Sequence, residues 1–106
     1  MVKIVDKYVQ RLDKEAEDER NLKLFDLTRS IVNLESDVGF SQATGQLEIH
    51  IGSPPQLFIY PNKKIAHLMN AERSYVNTEL AFNILEAYET LPGEGIWTLE
   101  RYNLNL

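Results

Sequence analysis

Three side chains on predicted strands, Glu48, His50 and His67, could bind a metal ion or carry a proton. Glu48 and His50 are two residues apart in "QLEIHI", an alternating stretch, so they share one side of a strand. A carboxylate beside an imidazole suits a zinc site or an acid/base pair. A zinc site needs at least three ligands, and His67 lies on a different predicted strand. We therefore predict no metal and no cofactor, and expect hydrogen-bonded or exposed histidines.

Other catalytic chemistry has no pattern to support it. The chain has no Cys, which excludes disulfides, thiolate zinc sites and Cys nucleophiles. None of the serines lies in G-x-S-x-G, and "PGEG" follows a predicted helix, whereas phosphate-binding glycine loops follow a strand. The carboxylates occur at helical surface spacing with nothing to mark a cleft. The sequence therefore predicts a protein that is not an enzyme.

Length and composition predict one globular domain, residues 1–106. Apolar residues make up 43% of the chain and charged residues 25%, close to ordinary globular usage. The net charge of −5 argues against nucleic acid as a partner, and its excess lies in residues 71–106, which hold two basic and six acidic residues. We find neither an apolar leader segment nor eighteen consecutive apolar residues, so we expect a cytoplasmic protein with no membrane partner.

The first third of the chain has the periodicity of a buried helical face. Apolar residues recur every three or four positions in two groups, Val2, Val5, Tyr8, Val9, Leu12 and Ala16, then Leu24, Leu27, Ile31 and Leu34. Between them "DKEAEDERN" has one apolar residue and offsetting nearby charges, which indicates an exposed elbow. One helix over residues 2–35 would be about 50 Å long. We favour two helices with a break at residues 19–21; the alternative is one long bent helix.

The middle of the chain predicts a three-stranded antiparallel meander. "ESDVGFSQATG" is rich in turn formers and is expected to be a loop. "QLEIHI" alternates like a half-buried strand, "QLFIY" is apolar on both faces like a central strand, and "KIAHLM" follows as its partner. Pro61 occupies the second position of the turn at residues 60–63, which favours a hairpin there.

A long helix and a final strand complete the predicted fold. The helix is expected to start near Ala71 with Asn70 as its cap, and to end before Pro92 and Gly93. "GIWTLERYNLNL" is rich in β-favouring residues and predicts the last strand. The expected class is α+β, in the order α-α-β-β-β-α-β, with helices packed on a largely antiparallel sheet.

The last helix has two contrasting faces. One is an apolar arc expected in the core: Val76, Leu80, Ile84, Ala87, Tyr88 and Leu91. The other combines two aromatic rings with three carboxylates: Tyr75, Glu79, Phe82, Glu86 and Glu89. This combination is typical of a surface that binds a basic partner. The rings bury apolar area in the interface, and the carboxylates orient the approaching partner. The interpretation that we favour for the two rings is nevertheless a second buried face, with Tyr75 and Phe82 covered by the N-terminal helices. The binding surface requires both rings to be exposed.

The last strand contributes a second candidate surface. Alternation puts Trp97 on one side and Glu100 and Tyr102 on the other. If Trp97 points inward, which we favour because large aromatic rings usually supply core area, Glu100 and Tyr102 extend the acidic aromatic surface. If it points outward, Trp97 is itself a binding anchor.

These features predict a small acidic protein-binding module that masks or neutralises a basic protein partner. Small immunity proteins and antitoxins act in this way on toxins and nucleases, and the analogy concerns function only. The alternative is a homodimeric chaperone or scaffold without catalysis, joined through the last helix and the long N-terminal helices. A small enzyme or ligand-binding domain is a third, less favoured hypothesis.

Overall fold

Over the residues that the structure describes, the protein is an α+β fold with two helices and a five-stranded mixed sheet, so the predicted class is confirmed. A computed structural model describes residues 2–33, 35–41, 47–69 and 75–102, and their side chains from residue 17 onward except at residue 35. The elements are α1 (Val2–Ile31), a 3₁₀ turn (Glu35–Asp37), β1 (Val38–Ser41), β2 (Glu48–Gly52), β3 (Pro55–Tyr60), β4 (Ile65–Met69), α2 (Thr78–Glu89) and β5 (Thr98–Tyr102).

The strands lie side by side in chain order, β1-β2-β3-β4-β5. The predicted meander is present as β2, β3 and β4, with Ile49 opposite Ile59 and Leu57 opposite Leu68. The last pair, β4 and β5, is parallel. Parallel neighbours need a crossover connection, and α2 provides it by lying between these strands in the chain.

The predicted loop before the meander contains a strand. Residues 38–41 form β1, which pairs antiparallel with β2 at one edge of the sheet. Val38 is buried and lies opposite Ile51, whereas Phe40 is exposed. A four-residue segment that includes Gly39 is too short to show a strand period, so the prediction of a loop was wrong. Pairing with β2, between residues 7 to 13 positions apart in the chain, places it in the sheet.

The predicted break at residues 19–21 is absent, because α1 is one continuous helix of 30 residues. "DKEAEDERN" contains no Gly or Pro and is composed largely of strong helix formers, and Lys23 lies 3.7 Å from the Glu19 carboxylate one turn earlier. The helix is about 45 Å long at 1.5 Å per residue, and the molecule accommodates it along its 59 Å dimension. Within the described part of the chain, no helix is apolar over enough length to span a membrane.

Helix α2 is shorter than predicted. Residues 75–77 are not helical, and Asn77 caps the helix by accepting a hydrogen bond from the Leu80 N–H at 2.9 Å. The predicted cap, Asn70, lies outside the described residues. The predicted core positions Val76, Ile84 and Tyr88 are buried, and Ala81 and Leu85 join them.

Both helices cover the same face of the sheet. The core of that face consists of alternate strand residues: Leu47, Ile49, Ile51, Leu57, Ile59, Ala66 and Leu68. Leu24 of α1 and Ile84 of α2 pack onto it. A buried polar contact joins the helices, in which the Tyr88 and Thr28 hydroxyls are hydrogen-bonded and Thr28 donates to the Leu24 carbonyl at 2.7 Å. The position of α1 relative to α2 is therefore fixed by a directional contact within an apolar interface.

Replacing Gly52 by Ala should lower the free energy of unfolding by about 1–3 kcal/mol, because Gly52 has a φ of +112° at the end of β2. A Cβ there would lie 3.0 Å from the Pro54 carbonyl oxygen. Urea unfolding measures the effect.

Gly39→Ala is the matched control, since a Cβ at Gly39 meets nothing within 4 Å. It should change the free energy of unfolding by less than about 0.5 kcal/mol. Equal losses in the two variants would contradict the assignment of strain to Gly52.

Candidate functional site

The predicted binding residues are divided between two surfaces. Glu79, Phe82 and Glu86 lie together on the outer side of α2, which we call the acidic α2 face. All three are exposed, and 48% of Phe82 is accessible to solvent. Among the described residues, neither Glu79 nor Glu86 has an ion-pair or hydrogen-bond partner. The face therefore presents a half-exposed ring between two carboxylates.

Tyr75 and Glu89, predicted on the same stripe, have partners within the chain. Tyr75 precedes α2, is 37% exposed, and donates its hydroxyl to Asp37 Oδ2 at 2.6 Å. Partial burial and this hydrogen bond raise the pKa of Tyr75 to about 12. The Glu89 carboxylate accepts the Trp97 backbone N–H at 2.7 Å. Both side chains help to hold the ends of α2 in place, and the acidic α2 face does not depend on them.

Trp97 points into the core, as favoured from the sequence, and is only 5% exposed. Its ring centroid lies 4.8 Å from that of Tyr88, and the Arg20 guanidinium lies 5.9 Å from the Trp97 ring. Trp97 is therefore unavailable as a binding anchor, because its ring forms part of the contact between α1, α2 and the sheet.

Glu100 and Tyr102 lie on the face of the sheet that α1 and α2 leave uncovered. We call this the open face, and it carries a connected group of side chains: Glu48, His50, Phe58, Tyr60, His67, Glu100 and Tyr102. It is separated from the acidic α2 face by the thickness of the sheet and the core. The prediction that Glu100 and Tyr102 extend the acidic aromatic surface of the last helix is therefore wrong.

The contacts on the open face run across four strands. His50 Nε2 lies 3.0 Å from Glu48 Oε1, and the His50 ring packs edge-on to Phe58 at 5.3 Å. The His67 ring lies 5.1 Å from the Tyr60 ring and 5.1 Å from the Tyr102 ring. These side chains are half-buried by one another, apart from Glu100 and Tyr102, which are exposed.

The tyrosines of the open face are hydrogen-bonded to carboxylates. Tyr102 donates its hydroxyl to Glu100 Oε2 at 2.5 Å, and the same oxygen lies 3.4 Å from His67 Nε2. The hydrogen bond to Glu100 raises the pKa of Tyr102. Partial burial, together with the charge and hydrogen bonding of Glu48, raises the pKa of Tyr60. The tyrosines thus remain neutral hydrogen-bond donors, and the carboxylates supply the negative charge.

The metal site considered from Glu48, His50 and His67 does not form. Strand β3 separates β2 from β4, so His67 is not beside the Glu48–His50 pair and contacts Glu100 instead. Within the described residues, no three His, Asp or Glu side chains are placed to hold a metal ion.

An ion pair missed by sequence reasoning fixes α1 on the domain. Arg20, inside the "DKEAEDERN" stretch, binds the buried Glu94 carboxylate through two hydrogen bonds of 2.7 and 2.9 Å and donates to the Pro61 carbonyl at 3.0 Å. Lys64 also donates to the Glu94 carbonyl. The Arg20 hydrogen bonds hold the pKa of Glu94 below its ordinary value of 4.5. No local pattern marks Arg20, because its partner is 74 residues away.

A pocket of about 410 Å³ adjoins this ion pair. Its lining combines cationic and acidic side chains with the Pro92-Gly93 turn: Glu19, Arg20, Lys23, Lys64, Leu91, Pro92, Gly93 and Glu94. Each of the three cations has a partner, since Lys23 pairs with Glu19 and the other two bind Glu94. The cations at this pocket are therefore already engaged by contacts within the chain.

Comparisons of the chain with family models, with curated proteins and with solved structures give no significant match. The assignment of function therefore depends on the chemistry of the two surfaces.

Replacing Arg20 by Met should lower the free energy of unfolding at pH 7 by about 1–3 kcal/mol, because the buried Glu94 carboxylate loses its partner. In the parent protein the folded-state pKa of Glu94 is lowered, so its contribution is present above pH 4.5 and is lost as the pH falls through that lowered pKa. Arg20→Met should therefore reduce the acid-induced loss of stability, as measured by urea unfolding at a series of pH values.

Lys23→Met is the matched control, because it removes an exposed pair with Glu19 on the same helix. It should change the free energy of unfolding by less than about 0.5 kcal/mol. If the two variants were equally stable at pH 7, the Arg20–Glu94 contact would not be the fixing interaction.

Proposed function

We propose that the protein is a non-catalytic binding module that masks or neutralises a basic protein through the acidic α2 face. The observation that carries the proposal is the exposure of Phe82 between Glu79 and Glu86. A large ring in water contributes nothing to the core, whereas in an interface it would bury area and exclude solvent around the charges.

The charge of this region favours a cationic partner. Residues 71–106 contain six acidic and two basic residues, and Glu94 is neutralised by Arg20. Glu79 and Glu86 are seven residues apart, two turns along α2, with Phe82 on the same stripe. Complementary charge would speed and orient the encounter, while the ring would supply the central contact. Basic toxins and nucleases belong to the class of partner that such a surface fits.

The double variant Glu79→Lys/Glu86→Lys should lose the partner. The immobilised protein is exposed to extract of its native host at low salt, and retained proteins are identified by mass spectrometry. We expect one basic protein whose retention by the parent chain falls with added salt and is reduced at least about tenfold by the double variant, because two favourable interactions become repulsive.

Glu17→Lys/Asp26→Lys is the control, since it makes the same charge change at exposed positions of α1. It should retain the partner. If both double variants lose the partner equally, only net charge matters and the acidic α2 face is not the site. Phe82→Ser tests the ring without changing the charge, and unchanged retention by this variant would also contradict the proposal.

A homodimeric scaffold is the second candidate, supported by an apolar groove between α1 and β1. Leu22 is 59% exposed and Phe40 62%, and Phe40 packs edge-on to Phe25 at 5.3 Å. These side chains, with Leu47, line a groove of about 180 Å³ beside β1, which is one of the two edge strands of the described sheet. Exposed edges of this kind are places where a second chain can pair.

Light scattering coupled to size exclusion separates this candidate from the first. A homodimeric scaffold should have twice the chain mass at micromolar concentration, and Phe40→Lys should convert it to a monomer by placing a charge at the edge. Ile96→Lys is the control, because it adds the same charge at an exposed apolar residue outside the groove and should leave the dimer intact. A parent chain that is monomeric at this concentration would contradict the homodimer.

A further inference from the structure

The open face has a chemistry that the acidic α2 face does not explain. Four strands contribute two carboxylates, two imidazoles and three larger aromatic rings to one surface, and no described strand residue on it is Lys or Arg. The opposite face of the same sheet is covered by two helices. In an ordinary sheet with one solvated face, that face carries mainly polar side chains. The open face instead presents the aromatic rings of Phe58, Tyr60 and Tyr102.

The rings and carboxylates meet around His67. Tyr60 and Tyr102 lie on either side of it at 5.1 Å, with Glu100 beside Tyr102 and Glu48 beside Tyr60. A cation over the face of one of these rings would lie within reach of a carboxylate. Such a combination attracts cations through both the ring quadrupole and the full negative charge.

We propose that the open face binds the guanidinium groups of an extended, arginine-containing segment of a partner protein. A guanidinium is planar and weakly hydrated, so it stacks on aromatic rings and donates two parallel hydrogen bonds to a carboxylate. An ammonium group is compact and strongly hydrated, and it uses flat aromatic surface less well. The charge of the face and its flat, ring-bearing shape thus match arginine better than lysine.

Single-stranded nucleic acid also stacks on aromatic rings that project from a sheet. Such binding requires basic side chains along the phosphate path, because phosphate contacts supply most of its affinity. On the open face Glu48 and Glu100 would repel phosphates, and none of the described strand residues on that face is a Lys or Arg that could offset them. A cationic peptide is therefore the occupant that fits the charge.

The test is an NMR titration of the full chain with a capped peptide containing three arginines separated by glycines. We expect shifts of the Tyr60, His67 and Tyr102 ring resonances. The matched peptide with citrulline, which is neutral and nearly isosteric, should not bind, and the lysine peptide should bind at least about threefold more weakly. Binding of the citrulline or lysine peptide equal to that of the arginine peptide would overturn the guanidinium assignment.

Variants on the surface provide the second measurement. Tyr102→Leu should weaken arginine-peptide binding about two- to fivefold through loss of one ring, and Glu100→Gln should weaken it up to about fivefold. Both side chains are exposed, so the fold should remain intact. Glu17→Gln makes the same charge change at an exposed position of α1, outside both proposed surfaces, and should leave the affinity unaltered. Equal weakening by Glu17→Gln and Glu100→Gln would overturn the proposal.

The NMR titration distinguishes binding at the open face from binding at the acidic α2 face, so the two proposals can fail separately. Shifts confined to α2 residues around Phe82 would overturn the open-face site while supporting the acidic α2 face. Shifts of the open-face rings with a single-stranded oligonucleotide, and none with the arginine peptide, would identify nucleic acid as the occupant and overturn the peptide proposal.

Discussion

The alternation of apolar residues on one side of the sheet is the constraint on which the rest of the structure depends. Ile49, Ile51, Leu57 and Ile59 are fully buried because α1 and α2 both cover that side. Each strand step reverses the side-chain direction, so the same alternation fixes which residues form the opposite face. The open face, with its histidines, tyrosines and carboxylates, is therefore a direct consequence of how the core is built.

Directional polar contacts set the position of the helices on this apolar surface. Hydrophobic burial alone would allow α1 to slide or rotate, because it is proportional to area and has no preferred direction. The Arg20–Glu94 ion pair and the Tyr88–Thr28 hydrogen bond define one position each. The two contacts lie about two helical turns apart on α1. Together they fix the position of α1 along the sheet and its rotation about its own axis. The exposed carboxylates near Arg20 remain a solvated helix surface.

The two candidate surfaces differ in how they would attract a cation. The acidic α2 face relies on separated, unpartnered carboxylates around one ring, and would act on the overall charge of a partner. The open face holds its carboxylates in contact with tyrosines and histidines, and would recognise the shape of one functional group. Because the core separates them, one partner would have to wrap around the domain to occupy both.

Local pattern in the sequence determined the α+β class, the β2–β3–β4 meander and the inward Trp97, since each follows from periodicity and burial preference within a few residues. It did not determine the exposure of Phe82, which depends on where α1 packs. Tertiary structure decided the rest. The parallel partnership of β5 with β4 and the Arg20–Glu94 contact join residues distant in sequence, where spacing carries no information about contact. The strand β1 pairs with residues nearby in the chain, but it is too short to show a strand period. The open face depends on strand order in the same way, because only the register of four strands brings Glu48, Tyr60, His67 and Tyr102 onto one surface.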